Sequence, residues 1–269
     1  LAVSIGGSFI VENRTGAGGN IGAEVVAKAE PDGHTLLMTS NPFTSNVGLF
    51  ENLPYDPIKS FAPITQVMNT NHVLAVTGSV PATNLGEFVA WVKANPGKVN
   101  MSSAGVGSQS HLSGALLLAM GGFESVHVPH KGMAPAITDL MAGQVQVLLV
   151  SLTSVESQMQ SGRLRALAVT SPNRFSILPE VATVAEAGLP GYALVNSWGI
   201  FAPRGMPQAI VNKLHTEIVR AHALADLQDR YANLGVEATS GTPAQFAEFI
   251  SGEAVKFGKV LKEAGARLN

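Results

Sequence analysis

The segment VENRTGAGGNIGAEVVAKAEPDGHTLL, residues 11–37, constrains the fold more than any other part of the chain. A short apolar stretch, Ser8 to Val11, runs into Glu12-Asn13-Arg14, and a loop with glycines at 16, 18, 19 and 22 follows. An alanine-rich helix comes next, then a Pro31-Asp32-Gly33 turn and an apolar strand from Thr35 to Met38. The spacing predicts a strand–helix–strand unit whose Gly-rich loop lies where an open parallel sheet presents its ligand crevice. Glycine is needed there because positive φ and close backbone approach exclude a Cβ. Arg14 has the fork geometry to clamp an acidic ligand, but pairing with Glu12 or Asp32 to hold the loop is the preferred reading.

Short apolar runs alternate with helical periodicity along the rest of the chain, which reads as α/β. Asn84-Leu85-Gly86-Glu87 predicts a capped helix to Ala94, stopped by Asn95-Pro96-Gly97. Strands are expected at 99–102, 125–128, 145–150, 164–170 and 197–202. Helices are expected at 108–120, 134–142, 208–223, 227–234 and 243–264. In the 108–120 helix, Leu112, Ala115, Leu116 and Ala119 share the expected core face. Pro207 is placed near N1 of its helix, and Thr242-Pro243-Ala244-Gln245 forms a capping box. A chain of 269 residues suits one large or two medium domains.

Composition excludes several chemistries. The net charge is −2, with basic and acidic residues interspersed and no basic run, so nucleic acid is not an expected partner. With no cysteine there is neither a disulfide nor a thiolate ligand nor a thiol nucleophile. No apolar run reaches the ~18 residues of a membrane span, so the chain is not expected to be membrane-embedded. There is no G-x-S-x-G elbow, and Ser110-His111 lacks an orienting acid, so nucleophilic catalysis is unsupported.

Two loops carry the candidate ligand chemistry. In Ser102-Ser103-Ala104-Gly105-Val106-Gly107-Ser108-Gln109-Ser110-His111 a strand ends, two glycines free the backbone and a helix begins. Unpaired N–H groups and a helix N-terminus there suit a carboxylate, with the Ser103 and Ser108 hydroxyls as added donors. The plainer alternative is a βα loop whose serines cap the helix. In Pro129-His130-Lys131-Gly132-Met133-Ala134, the amides of 132–134 at a second helix start offer another polar end, with His130 lining the pocket rather than lying on the surface. Ser40, after a strand end, is a further candidate. Ser40, Ser103, Ala104, Gly105, Gly107, Ser108, His111, His130, Lys131, Gly132, Met133 and Ala134 are therefore the candidate ligand residues. Gly105-Val106-Gly107 opens a dinucleotide fingerprint whose third glycine falls at Ser110, so the match fails. His111, His127 and His130 invite a metal, but no Asp, Glu or Cys completes a set at zinc spacing. No metal or cofactor is expected.

The chain resembles the solute receptors of tripartite tricarboxylate transporters, the Bug-type periplasmic binding proteins. The resemblance is carried in order by Val11-Glu12-Asn13-Arg14 with Gly16-Ala17-Gly18-Gly19, by Leu53-Pro54-Tyr55-Asp56-Pro57 and by Ser102 to Gly114. It continues through Pro129-His130-Lys131-Gly132, Gly162 to Thr170, Glu186-Ala187-Gly188, Trp198-Gly199 and Ala202-Pro203. It implies a two-lobed, type II-like α/β fold with a ligand cleft between the lobes. Lobe 1 is expected over 1–101 and 197–269, lobe 2 over 102–196, with crossings near 99–103 and 196–203. Leu1 to Gly7 resembles the end of the family's first helix, so one strand and one loop that usually precede it are expected to be missing. The implied function is delivery of a small organic acid to membrane permease subunits from the periplasm, without catalysis. An enzyme on a similar scaffold, a sensing domain and a fragment unable to bind are the alternatives. His130 stands where relatives commonly have Tyr, and Met133 where they have a small residue. Gln146 and Val150 stand where many relatives have Asp, so a plain or aromatic carboxylate is expected over an amino acid.

Overall fold

The computed structural model describes residues 1–14, 16–45, 53–175, 177–233 and 236–263. Thr15, Leu234 and Ala264, which the sequence reading touched, lie outside these. The chain divides into two compact units, the first built from 1–70 and 197–258 and the second centred on 71–196.

The first unit opens with a short helix α1 (Ala2–Ile5) and a Gly-rich loop leading into α2 (Asn20–Ala27). Gly16, Gly18 and Gly19 of that loop all have positive φ, as the sequence required. The strand expected at Ser8–Val11 does not form. Residues 8–14 pair with no described strand, and Ile10 and Val11 are almost fully exposed. An apolar stretch becomes a strand only where a neighbour takes its N–H and C=O groups. Arg14 forms a forked ion pair with Glu12, with 2.9 Å to Oε2.

The strand after α2 is β1 (Leu37–Ser40), two residues later than expected, followed by α3 (Pro42–Ser45). Long β2 (Phe61–Thr70) ends the first passage through this unit. The chain returns to it near the start of β8 (Asn196–Pro203), then forms α8 (Gln208–His222), α9 (Ala225–Asn233), β9 (Val236–Ala238) and α10 (Pro243–Glu263). The sheet order is β1-β8-β2-β9, with β1 antiparallel to β8 in the register Leu37↔Phe201 to Ser40↔Trp198. Pro207 is the N-cap of α8 rather than a residue of its first turn. The capping box of α10 forms as expected: Gln245 N–H donates to Thr242 Oγ1 and Thr242 N–H to Gln245 Oε1.

Edge-to-face aromatic packing builds this unit's core. Phe43 meets Phe61 at 5.5 Å and Phe201 at 4.9 Å between ring centres, and Tyr55 meets Phe61 at 5.5 Å. The Leu53-Pro54-Tyr55-Asp56-Pro57 segment is structural: buried Tyr55 donates to Asn20 Oδ1 (2.6 Å) at the head of α2. Asp56 accepts from the Ile58 and Lys59 amides, and the Lys59 bond leads in holding its carboxyl below the usual range. Trp198-Gly199 is explained by α10, because a Cβ on Gly199 would run into the Phe246 ring.

The second unit contains β3 (His72–Thr77), α4 (Leu85–Ala94), β4 (Asn100–Ser103), α5 (Gln109–Gly121), β5 (Val126–Pro129) and α6 (Met133–Met141). It continues through β6 (Val147–Ser151), α7 (Glu156–Gln160) and β7 (Leu164–Val169). Its sheet order is β5-β4-β6-β3-β7. β4 runs parallel to β5 and β6, while β3 is antiparallel to β6 and β7. This pairing corrects the expected boundary: residues 71–101, assigned to lobe 1, belong to the second unit, because β3 is hydrogen-bonded between two of its strands. The first crossing therefore lies at Thr70/Asn71, and the second at Asn196/Ser197.

Val73, Ala75, Leu148, Val150 and Val169 face α6 and form one buried cluster with Ala136 and Leu140. On the opposite face α5 packs closely, and a Cβ on Gly114 would meet Met101 Sδ at 2.5 Å. Leu112, Ala115 and Leu116 are buried as expected, but Ala119 is exposed while Ser113, Gly114 and Leu117 are buried. Burial of the first half of α5 on nearly every side explains why no single face predicted it.

Candidate ligand-binding site

Within the second unit, the β4–α5 and β5–α6 loops come together. His130 N–H donates to Ser103 O (3.0 Å) and Gly132 N–H to Ala104 O (3.1 Å). Gly105, at φ 125°, passes so close to the second loop that a Cβ would stand 3.0 Å from His130 O. Gly132 and Gly107 also have positive φ. The candidate residues 103–105, 107, 108, 111 and 130–134 thus share one end of one sheet. Ser40 belongs to the first unit, where it is half-buried at the end of β1 opposite Trp198.

The β4–α5 loop is satisfied from inside. Ala104 N–H donates to Ser110 Oγ (2.9 Å), Gly105 N–H to Ser103 Oγ (3.2 Å) and Gly107 N–H to His111 Nδ1 (3.2 Å). Ser108 is the N-cap of α5, accepting from His111 N–H at 3.4 Å and donating to Gly105 O at 2.5 Å. The loop amides at 104, 105 and 107 are therefore not unpaired, as the sequence had suggested. The Ser103 and Ser108 hydroxyls act on the loop itself, because short side chains beside a tight turn reach its backbone first.

Three histidines hold this loop in place. The His111 and His127 rings stack at 4.3 Å with 13° between their planes. Burial, then the His127 ring, push His111 down to about 4. It is therefore neutral at neutral pH, which its Nδ1 requires in order to accept from Gly107. Burial and the nearby His130 also lower His127, whose Nε2 lies 2.7 Å from Ser103 Oγ.

His130 neither lies on the surface nor offers its ring outward. The side chain is 11% exposed, with Nε2 2.8 Å from Asp139 Oδ2 in α6. Nδ1 lies 3.0 Å from Ser102 Oγ and 3.1 Å from Val128 O. The ring ties β4, β5 and α6 together, so pocket lining by the imidazole is corrected to an internal clasp. Asp139 was missed in the sequence because it sits nine residues away, and only the turn of α6 brings it back. Met133, expected to make the pocket wall more apolar, packs against the unit's core cluster.

Ser102, His130 and Asp139 form a hydrogen-bonded series resembling a hydrolase triad in composition. Its geometry is wrong for attack. Ser102 has no solvent exposure, so its hydroxyl cannot be reached by a substrate.

The outward-facing chemistry lies at the start of α6. No side chain caps this helix at Gly132, and Pro135 has no N–H, leaving Met133 and Ala134 to supply the first donors at the positive end of the dipole. Exposed Lys131 adds a cation. From residue 100 to 138 the only acidic side chain is Glu124. An anion suits this surface; an ammonium group has no carboxylate in these two loops to meet it. Among the described residues, no cluster of three or more His, Asp or Glu is placed to hold a metal. A shallow depression of about 500 Å³ lined by Thr77, Gly78, Thr138 and Arg163 lies at the opposite end of the same sheet, away from both loops.

Comparisons with known proteins agree with this architecture. The model of the tripartite tricarboxylate transporter family receptor matches residues 1–266. A protein from the tcbD-tcbE intergenic region of Pseudomonas sp. strain P51 is 37% identical, the match covering 98% of this chain and 79% of that one. The solved structure of R. palustris Rpa4515 with adipate superposes with a TM-score of 0.92 at 32% identity, covering 99% of this chain and 90% of the other. MatC (Rpa3494) from Rhodopseudomonas palustris with bound malate gives 0.89 at 32% identity, covering 97% and 90%. The chain belongs to the tripartite tricarboxylate transporter receptor family, with its periplasmic-binding-protein fold.

Proposed function

We propose that this protein is an extracytoplasmic receptor that binds a small organic carboxylate and hands it to membrane permease subunits. The carrying observation is the uncapped N-terminus of α6 beside Lys131, in a pair of loops without an acidic partner for an ammonium group. Relatives solved with adipate and malate support a carboxylate as the ligand class. A plain or aromatic acid is favoured over an amino acid. The preference rests on the two loops, because Val150 is buried in the apolar cluster against α6 and meets no ligand.

In this reading, Met133 and Ala134 N–H groups and Lys131 receive one carboxylate. Gly105, Gly107 and Gly132 let the backbone approach it, while Ser103, Ser108, His111 and His130 hold the loops in shape. The loaded receptor would then meet its permease, and the ligand leaves chemically unchanged. No helix among the described residues is long and apolar enough to cross a membrane. A thermal-shift panel of mono-, di- and tricarboxylates, aromatic acids and amino acids tests the proposal, since a ligand bound only to the folded state raises the melting temperature. A rise with one acid class supports it. No rise with any acid, or a rise with amino acids alone, overturns it.

A further inference from the structure

Among the second unit's polar atoms that are shut off from solvent without a hydrogen-bond partner among the described residues, five gather near one end of the sheet: Gln109 Oε1 and Nε2, Ser113 Oγ, His72 Nδ1 and Thr170 Oγ1. Strand register and hydrogen bonds place their side chains together. His72 pairs with Ser151 across β3 and β6, and Val73 pairs with Val169 across β3 and β7. His72 and Thr170 are therefore neighbours on one face, and Thr170 N–H donates to His72 O (2.9 Å). That face is the one α5 covers, since Gly114 lies against Met101 and Leu149. Gln109 and Ser113 are one turn apart on α5, toward the same end of the sheet as His72 and Thr170. The segment after β7 closes the group: Tyr192 Oη donates to Ser113 O (3.1 Å) and Leu194 N–H to Thr170 O (2.8 Å).

Each such atom left unpaired is destabilising, and native interiors rarely leave several together. The chemistry of the set says what completes it. Gln109, Ser113 and Thr170 can each donate and accept. His72, kept neutral by burial, offers one donor and one acceptor. There is no charge for an anion or a metal to meet, and the five polar atoms exclude an apolar guest.

We infer that the second unit holds a buried hydration site of one or two ordered waters, enclosed by His72, Gln109, Ser113 and Thr170. A buried water typically makes about three hydrogen bonds, which matches this set. The site links the first turn of α5, into which the 103–108 loop runs, to β3 and β7 beside the crossing at Asn71. It does not depend on which ligand the protein carries.

A high-resolution crystal structure of the unaltered protein tests the inference. Water density within hydrogen-bonding distance, about 3 Å, of at least three of these four side chains is expected. Density absent, or touching only one of them, with the Gln109 amide bonded directly to His72, Ser113 or Thr170, overturns it.

Discussion

Acid should begin to destabilise this protein above the pH range where its carboxylates protonate, and two histidines set the size of the effect. His72 and His111 have an ordinary value of 6.5, and burial pushes both down to about 4. The unfolded chain binds these protons first. Their contribution to stability is intact above pH 6.5 and is lost as pH falls from there toward 4. The loss comes to about 2 kcal/mol per ring at pH 5 and about 3 kcal/mol at pH 4. Two rings together remove about 4 kcal/mol by pH 5, a large share of a typical ~5–15 kcal/mol total. His127 and His222 are lowered by burial as well and act in the same direction. Asp56, Glu87 and Glu186 are held below the usual carboxylate range by backbone hydrogen bonds. Their stabilisation is present above that range and is lost only at still lower pH. Urea unfolding at half-unit steps from pH 8 to 5 measures the slope directly. The native protein should lose more than 2 kcal/mol per pH unit near pH 5, and His111→Gln should lose about 1.2 less per unit. A flat profile between pH 7 and 5, or an unchanged slope in the variant, would refute the burial argument.

Gly199→Ala forces a methyl into the Phe246 ring and should cost about 1–3 kcal/mol, read as a lowered urea midpoint; an unchanged midpoint would mean α10 packs elsewhere in solution. Tyr55→Phe removes the buried bond to Asn20 and should cost about 1–2 kcal/mol by the same assay, with no effect on ligand affinity. Asp139→Asn keeps the shape of α6 but weakens the His130 clasp. It should lower affinity for the carboxylate ligand several-fold while leaving ligand selectivity intact; unaltered affinity would show that the clasp does not position the loop. Gly105→Ala places a Cβ against His130 O and should reduce affinity more than stability, checked by calorimetry alongside thermal melts.

The elements with strong local signals were legible. The Asn84 cap accepts from Glu87 N–H as expected, and the Thr242–Gln245 box forms, because caps are set by residues three positions apart. β2 and β3 were not foreseen. β3 is buried on both faces and β2 in no regular alternation, so neither shows the period of two that marks a half-buried strand. Missing β3 misplaced the first crossing by about thirty residues. In the site, the two loops were found from glycines and helix starts, but the roles of their side chains were not. That Ser103, Ser108 and His111 spend their polar atoms on loop amides depends on turns closing over distances a sequence does not display. The His130–Asp139 clasp likewise exists only once α6 is wound.

The most direct test of the central claim is isothermal titration calorimetry with the acid that gives the largest thermal shift and with its 2-amino counterpart. The account predicts saturable binding of the acid, and binding of the amino analogue at least tenfold weaker. Equal or tighter binding of the amino acid, or no heat with any carboxylate from a cooperatively folded sample, would contradict it.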